Sequence, residues 1–153
     1  MPDNRVSATL SDTDRQDVMS AIKTIRQKLP FLIDLTPEER RSLPKMGDKS
    51  RAFVQQALEV AKQNPDMLPR SFDVDEMRKD VELFEAMQSI MTAFAQLQEL
   101  LDDTFVAVGS EAYAAALAVY AYAKANGKGA ALDNLTDALG SRFSRKTRGK
   151  PST

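Results

Sequence analysis

The residues best placed to bind an anion are Lys45, Lys49 and Arg51, which flank the predicted helix start at Gly47-Asp48. The string from residue 45 to residue 50 is similar to a phosphate loop. However, it lacks the Gly-x-x-x-x-Gly-Lys-[Ser/Thr] spacing, and no parallel sheet precedes it. The N-terminus of a helix with flanking cations could still hold an anion. A capped helix start with solvated lysines is the favoured interpretation.

Carboxylates are the other residues suited to chemistry, and the pair Asp102-Asp103 is the most prominent cluster. A ferritin-like di-metal centre needs Glu-x-x-His pairs, and the chain has no His. Neighbouring residues on a helix point about 100° apart, so these two carboxylates do not converge on one ion if they are helical. No metal and no cofactor is therefore predicted. A deep pocket lined by Asp102, Asp103, Tyr113 or Lys45 would instead support a ligand-binding protein or a weak enzyme.

The composition removes the commonest catalytic groups. The chain has no His and no Cys, which excludes an imidazole base, a thiol nucleophile and a soft metal site. A non-enzymatic interaction or structural role is therefore the favoured function. The alternative is a small-ligand or anion-binding protein, or a weak enzyme that uses Asp, Glu, Lys or Tyr in a bundle cleft.

Charge is distributed unevenly along the chain. Residues 142–153 hold five basic residues and no acid, whereas the rest holds 16 basic and 22 acidic residues. The tail could contact nucleic acid by charge, although a flexible solubilising end is favoured. The start has no secretory signal pattern, and no apolar run reaches the length of about 20 residues that a membrane span needs. These features predict a cytoplasmic protein without a membrane partner.

Helix signals in the first half of the chain predict three helices. The first begins after Ser11 and ends at Pro30, and a short crossover helix begins at Thr36 and ends at Pro44. The third opens at Gly47-Asp48 and closes at Asn64-Pro65. A short apolar run between the first two helices is interpreted as a buried connector. The residues expected on the buried side of the third helix are Phe53, Val54, Ala57, Leu58 and Ala61.

The second half is predicted to contain a spine helix, an Ala-rich helix and a short last helix. The spine starts at Asp73, and its broad apolar stripe is expected to lie in the core. Because one helix from residue 74 to residue 108 would be unusually long, a turn is expected at residues 101–104, with Asp103 as N-cap. A turn at Gly109-Ser110 is the alternative. The stripe comprises Leu83, Phe84, Met87, Ile90, Met91, Phe94, Leu97 and Leu101.

Together these helices predict an all-α, four-helix up-and-down bundle with a short crossover helix and a short C-terminal helix. The bundle is expected over residues 11–141, between a flexible N-terminus at 1–10 and a basic flexible tail at 142–153. Its partner is expected to be an unknown protein or a second copy bound through the Ala-rich helix. Nucleic acid is expected only at the tail.

Several strings resemble an uncharacterised family of small bacterial helical-bundle proteins. They lie at residues 29–40, 43–50, 101–104 and 109–113, and the longest reads Leu-Pro-Phe-Leu-Ile-Asp-Leu-Thr-Pro-Glu-Glu-Arg. They cover 29 of the 153 residues, about a fifth of the chain. The resemblance implies a bacterial helical bundle and no particular activity.

Overall fold

All regular secondary structure that a computed structural model describes, at residues 3–126 and 129–144, is helical. The all-α prediction is therefore confirmed. A single 3-10 turn, Pro65–Met67, lies in the loop before the longest helix. The helices are α1 (Asp12–Lys28), α2 (Pro37–Ser42), α3 (Asp48–Gln63), α4 (Val74–Asn126) and α5 (Ala130–Ser144).

Three predicted helix starts are confirmed by side-chain hydrogen bonds, whereas α3 begins at Asp48 as predicted but without a side-chain cap. The Ser11 hydroxyl accepts the backbone N–H of Asp14 at 3.0 Å. Thr36 and Glu39 form a reciprocal capping box before α2, with Pro37 in the first turn. The Asp73 carboxylate accepts the backbone N–H of Glu76 at 3.0 Å. Each side chain pairs a backbone donor that has no partner within the helix.

The predicted turn after the spine is wrong, because α4 is one helix of 53 residues. Neither residues 101–104 nor Gly109-Ser110 interrupt it. Thr104 stays helical and donates its hydroxyl to the Leu100 carbonyl at 2.7 Å. No proline occurs from residue 70 to residue 150, so no residue in α4 lacks an N–H donor. The spine and the Ala-rich segment are therefore parts of one helix.

The chain divides into two compact units, the first of which comprises residues 9–97. Here α3 runs antiparallel to the start of α4, since Arg51 bonds Glu85 while Ala61 and Met77 line one cleft.

Leu58 and Ala61 of α3 are the only buried side chains among the described residues. The prediction of a buried α3 side holds for these two residues but not for Phe53, which is exposed. The connector at residues 31–33 is also exposed, because no described helix packs over it.

The second unit comprises residues 1–8 and 98–153. Its α5 folds back along the end of α4, so that the Arg142 guanidinium lies 4.8 Å from the centre of the Tyr113 ring. Along the middle of α4, the Arg5 N–H donates to the Glu111 carboxylate at 2.7 Å. Flexibility of residues 1–10 stays a prediction. The helix α5 includes the first three residues of the predicted tail, and residues 145–153 lie outside the described part of the chain.

Candidate functional site

The predicted anion site does not present three available cations. Lys45 directs its ammonium group to the backbone carbonyls of Arg40 and Leu43, at 2.8 Å from the latter. Arg51 forms a two-point ion pair with Glu85, and its Nε lies 2.8 Å from Oε1 of that carboxylate. Lys49 is exposed in the first turn of α3. Two of the three cations therefore already bind protein groups: Lys45 binds two backbone carbonyls and Arg51 binds a carboxylate.

Glu85 is the centre of the polar contact between α3 and α4. Besides the Arg51 guanidinium, it accepts a hydrogen bond from the Gln55 amide at 2.9 Å. The hydrogen bond from Arg51 lowers the pKa of Glu85, and the bond from Gln55 acts in the same direction. The pKa of Arg51 is raised by the same bond and by the charge of Glu85. This cluster holds two helices together, and its groups are satisfied by each other.

The predicted site residues Asp102, Asp103 and Tyr113 do not converge on one site, since each has different neighbours. The Asp102 carboxylate accepts a hydrogen bond from Gln98 one turn earlier, at 2.8 Å. Asp103 borders an open cleft of about 800 Å³ beneath the N-terminal segment, whose other walls include Val6, Val106 and Glu111. Tyr113 lies under Arg142. No group of three His, Cys, Asp or Glu residues within the described ranges could hold a metal ion.

An apolar cleft of about 530 Å³ separates α3 from the start of α4. Its walls come from α3, the 3-10 turn, the loop that follows this turn and the first turn of α4, and they include one polar side chain, Gln56. The cleft shows that the α3–α4 hairpin closes incompletely over its own apolar surface. Its apolar walls are Phe53, Ala57, Val60, Ala61, Met67, Leu68, Phe72 and Met77.

The most extensive apolar feature is one face of α4, which we call the α4 stripe. Its members follow one another at intervals of four, three, four, three and four residues, which is the a/d spacing of a coiled coil. Leu97 is 53% exposed and Leu101 is 56% exposed, whereas Met87 and Ile90 are half-buried. The stripe consists of Leu83, Met87, Ile90, Phe94, Leu97 and Leu101.

The α4 stripe lies on the opposite side of α4 from α3. Each helical residue turns the side-chain direction by about 100°, so Phe94, nine residues after Glu85, points about 180° away from it. Glu85 is the residue that Arg51 of α3 binds. Packing of α3 therefore leaves the stripe exposed at Phe94, Leu97 and Leu101. Beside the stripe, Met91 and Leu100 are 63% and 66% exposed.

The expectation that the spine stripe forms an intrachain core is therefore wrong for most of its members. Met91 is exposed and does not fill a core. The regular 3.5-residue interval of the stripe predicts packing along another helix. The same a/d interval occurs inside a four-helix bundle, so it does not tell whether that helix belongs to the same chain.

By length and composition, α4 is also the one described helix that could cross a membrane. The core helix of a soluble protein passes the same test. From residue 80 to residue 123, the sequence contains seven acidic residues and no basic residue. Helices that lie on a membrane surface carry basic residues on the polar face, so this charge pattern does not favour an anionic lipid surface.

No family model matches the chain, and neither a curated protein nor a solved structure is detectably similar to it. The resemblance to the family of bacterial helical proteins stays a prediction.

Proposed function

We propose that this protein acts by binding other protein chains through exposed apolar helix faces, in a non-enzymatic interaction or structural role. The observation that carries the proposal is the part of the α4 stripe from Phe94 to Leu101, which is exposed on the side of α4 that α3 does not contact. Monomeric soluble proteins rarely leave continuous apolar surfaces of this extent in water. A protein partner would remove that surface from solvent.

The proposal also accounts for the predicted four-helix bundle, which would form between chains. Long helices in water owe most of their stability to packing of an apolar face, and α4 has little such packing along residues 91–106, all of which are exposed. We propose that helices of a partner chain supply the missing layer. The up-and-down bundle would then be assembled between chains.

The alternative of an anion-binding protein or weak enzyme has less support. Among the described residues, shifted pKa values occur at Arg51, Arg78 and Glu85, and in each case the largest cause is a hydrogen bond to an ion-pair partner. Catalytic groups with shifted pKa values are expected to face a cleft that can hold substrate. These three groups instead tie helices together or stabilise a helix turn.

Site-specific photocrosslinking in the native cell tests the proposal. A photoreactive phenylalanine analogue replaces Leu100, which lies beside the α4 stripe, and a matched variant carries it at Gln96 on another face of the same helix turn. We expect protein adducts at position 100 and few at position 96. Their absence at position 100, or equal yields at the two positions, would contradict a protein-binding role for this face.

A further inference from the structure

We infer that the partner of the α4 stripe is a second copy of this chain, bound stripe to stripe as a coiled coil. This inference rests on the proposed function and specifies its partner. The argument uses the spacing of the stripe, the charges beside it and the area that it exposes.

The stripe is self-complementary in its spacing. Its a positions are Met87, Phe94 and Leu101, and its d positions are Leu83, Ile90 and Leu97. Side chains at these positions insert between four residues of a facing helix that has the same repeat. A second copy offers a stripe of the same length and period. No other described helix of this chain repeats the interval over three heptads.

The positions directly beside the stripe carry no charge that would oppose the pairing of two copies. The flanking e and g positions from residue 84 to residue 100 contain no charged residue. Charges at these positions are what lets a coiled coil select a different partner and reject itself. The acids of this region, including Glu82, Glu85 and Glu99, occupy outer positions of the repeat. Two paired stripes would keep these carboxylates in water.

The exposed area is sufficient for a stable complex. The six stripe residues with Met91 and Leu100 expose roughly 500–800 Å² of surface, if each residue has a total of about 150–200 Å². One partner of a standard protein interface contributes about 800 Å². Contacts made by α3 leave this area untouched, because Arg51 binds α4 at Glu85 on the opposite face.

The test is sedimentation of the purified full chain at roughly 1–100 µM, in which the fraction of each species gives a dissociation constant. We expect the wild-type chain to be a dimer or larger assembly at the upper concentrations. Leu97→Lys puts a charge in the stripe and should raise the dissociation constant on the order of tenfold or more. Gln96→Lys adds the same charge on a neighbouring face and should change it less than about threefold.

Circular dichroism verifies that the variants remain helical. If Leu97→Lys unfolds, Leu97→Ala replaces it, since alanine favours a helix while it removes most of the apolar contact. A wild-type chain that stays monomeric at the highest concentration would overturn the inference, and so would equal dissociation constants for substitutions at positions 96 and 97. If the chain is monomeric but photocrosslinks at position 100 to other proteins, the proposed function stands and only the choice of partner fails.

Discussion

Arg51 of α3 and Glu85 of α4 are joined by two hydrogen bonds, one from Nε and one from a terminal nitrogen of the guanidinium group. The two residues are 34 positions apart in the sequence. Their contact fixes which face of α4 meets α3. It thereby decides which face remains open for another chain.

Replacement of Glu85 by Gln should destabilise the α3–α4 hairpin at neutral pH. The variant keeps the side-chain shape but loses the charge that pairs with Arg51, so the melting temperature should fall by roughly 2–4 °C. Glu82→Gln is the control, because Glu82 pairs with Arg78 within one helix and is more exposed. An equal fall for both variants would show that the Arg51 contact does not hold α3 to α4.

The effect of Glu85→Gln should depend on pH in a defined direction. Arg51 lowers the pKa of Glu85 in the folded state, so the charged carboxylate stabilises the fold. That contribution is complete above the ordinary Glu pKa of about 4.3 and is lost as the pH falls through the lower pKa of folded Glu85. Melting curves of wild type and variant should therefore differ at pH 7 and converge in acid. A difference that persists at the lowest pH would contradict the ion-pair explanation.

Gly109→Ala should stabilise the protein if α4 is continuous. Within the described part of the chain, a Cβ at this position would meet no atom within 4 Å beyond its chain neighbours and the nearby helix backbone. Alanine in a helix interior is more favourable than glycine by roughly 0.5–1 kcal/mol. Gly129→Ala is the matched control, since Gly129 has a φ of +133° that alanine adopts only with strain. Thermal melting should rise for the first variant and fall for the second, whereas a turn at Gly109 would reverse the first result.

The contact of Arg142 with Tyr113 should hold α5 against α4. Arg142→Gln removes the cation above the ring, and exposed cation–π contacts contribute about 0.5–1 kcal/mol. Amide exchange in residues 131–141 should accelerate by roughly two- to fivefold. Tyr113→Phe keeps the ring face and should change little. In a Tyr113→Leu background, Arg142→Gln should have no further effect, and an undiminished effect would exclude coupling between the two residues.

The sequence identifies helix ends more reliably than it identifies partners. Ser11, Thr36 and Pro30 act on backbone groups within a few residues, so their types and positions suffice to predict starts and stops. The predicted N-cap at Asp103 is wrong because aspartate, which favours helix caps, is also tolerated inside a long helix. The sequence pattern predicts the apolar face of the spine, but this pattern is the same whether the face packs within one chain or against another chain.

The candidate site shows the same limit. Lys45 and Arg51 have the right charge to bind an anion, and their spacing near Gly47 is real. Both side chains bind other groups of the protein instead. Lys45 donates to backbone carbonyls nearby, and Arg51 donates to a carboxylate 34 residues away. Neither partner can be inferred from local sequence, because helix packing selects it.

Self-association through the α4 stripe should tighten as salt is added. From residue 80 to residue 123 each chain has seven acids and no base, so two paired helices repel one another at low ionic strength. Salt screens that repulsion, with a Debye length near 10 Å at 0.1 M, and leaves apolar packing in place.

The dissociation constant measured by sedimentation should fall about threefold or more between roughly 0.05 and 0.5 M NaCl. Glu99→Gln removes one of these acids and should flatten this dependence, whereas Glu59→Gln on α3 serves as the control. Contacts made by the basic tail with acidic groups would have the opposite sign and weaken with salt. Association that weakens as salt rises would therefore show that charge pairing, and not the α4 stripe, holds the copies together.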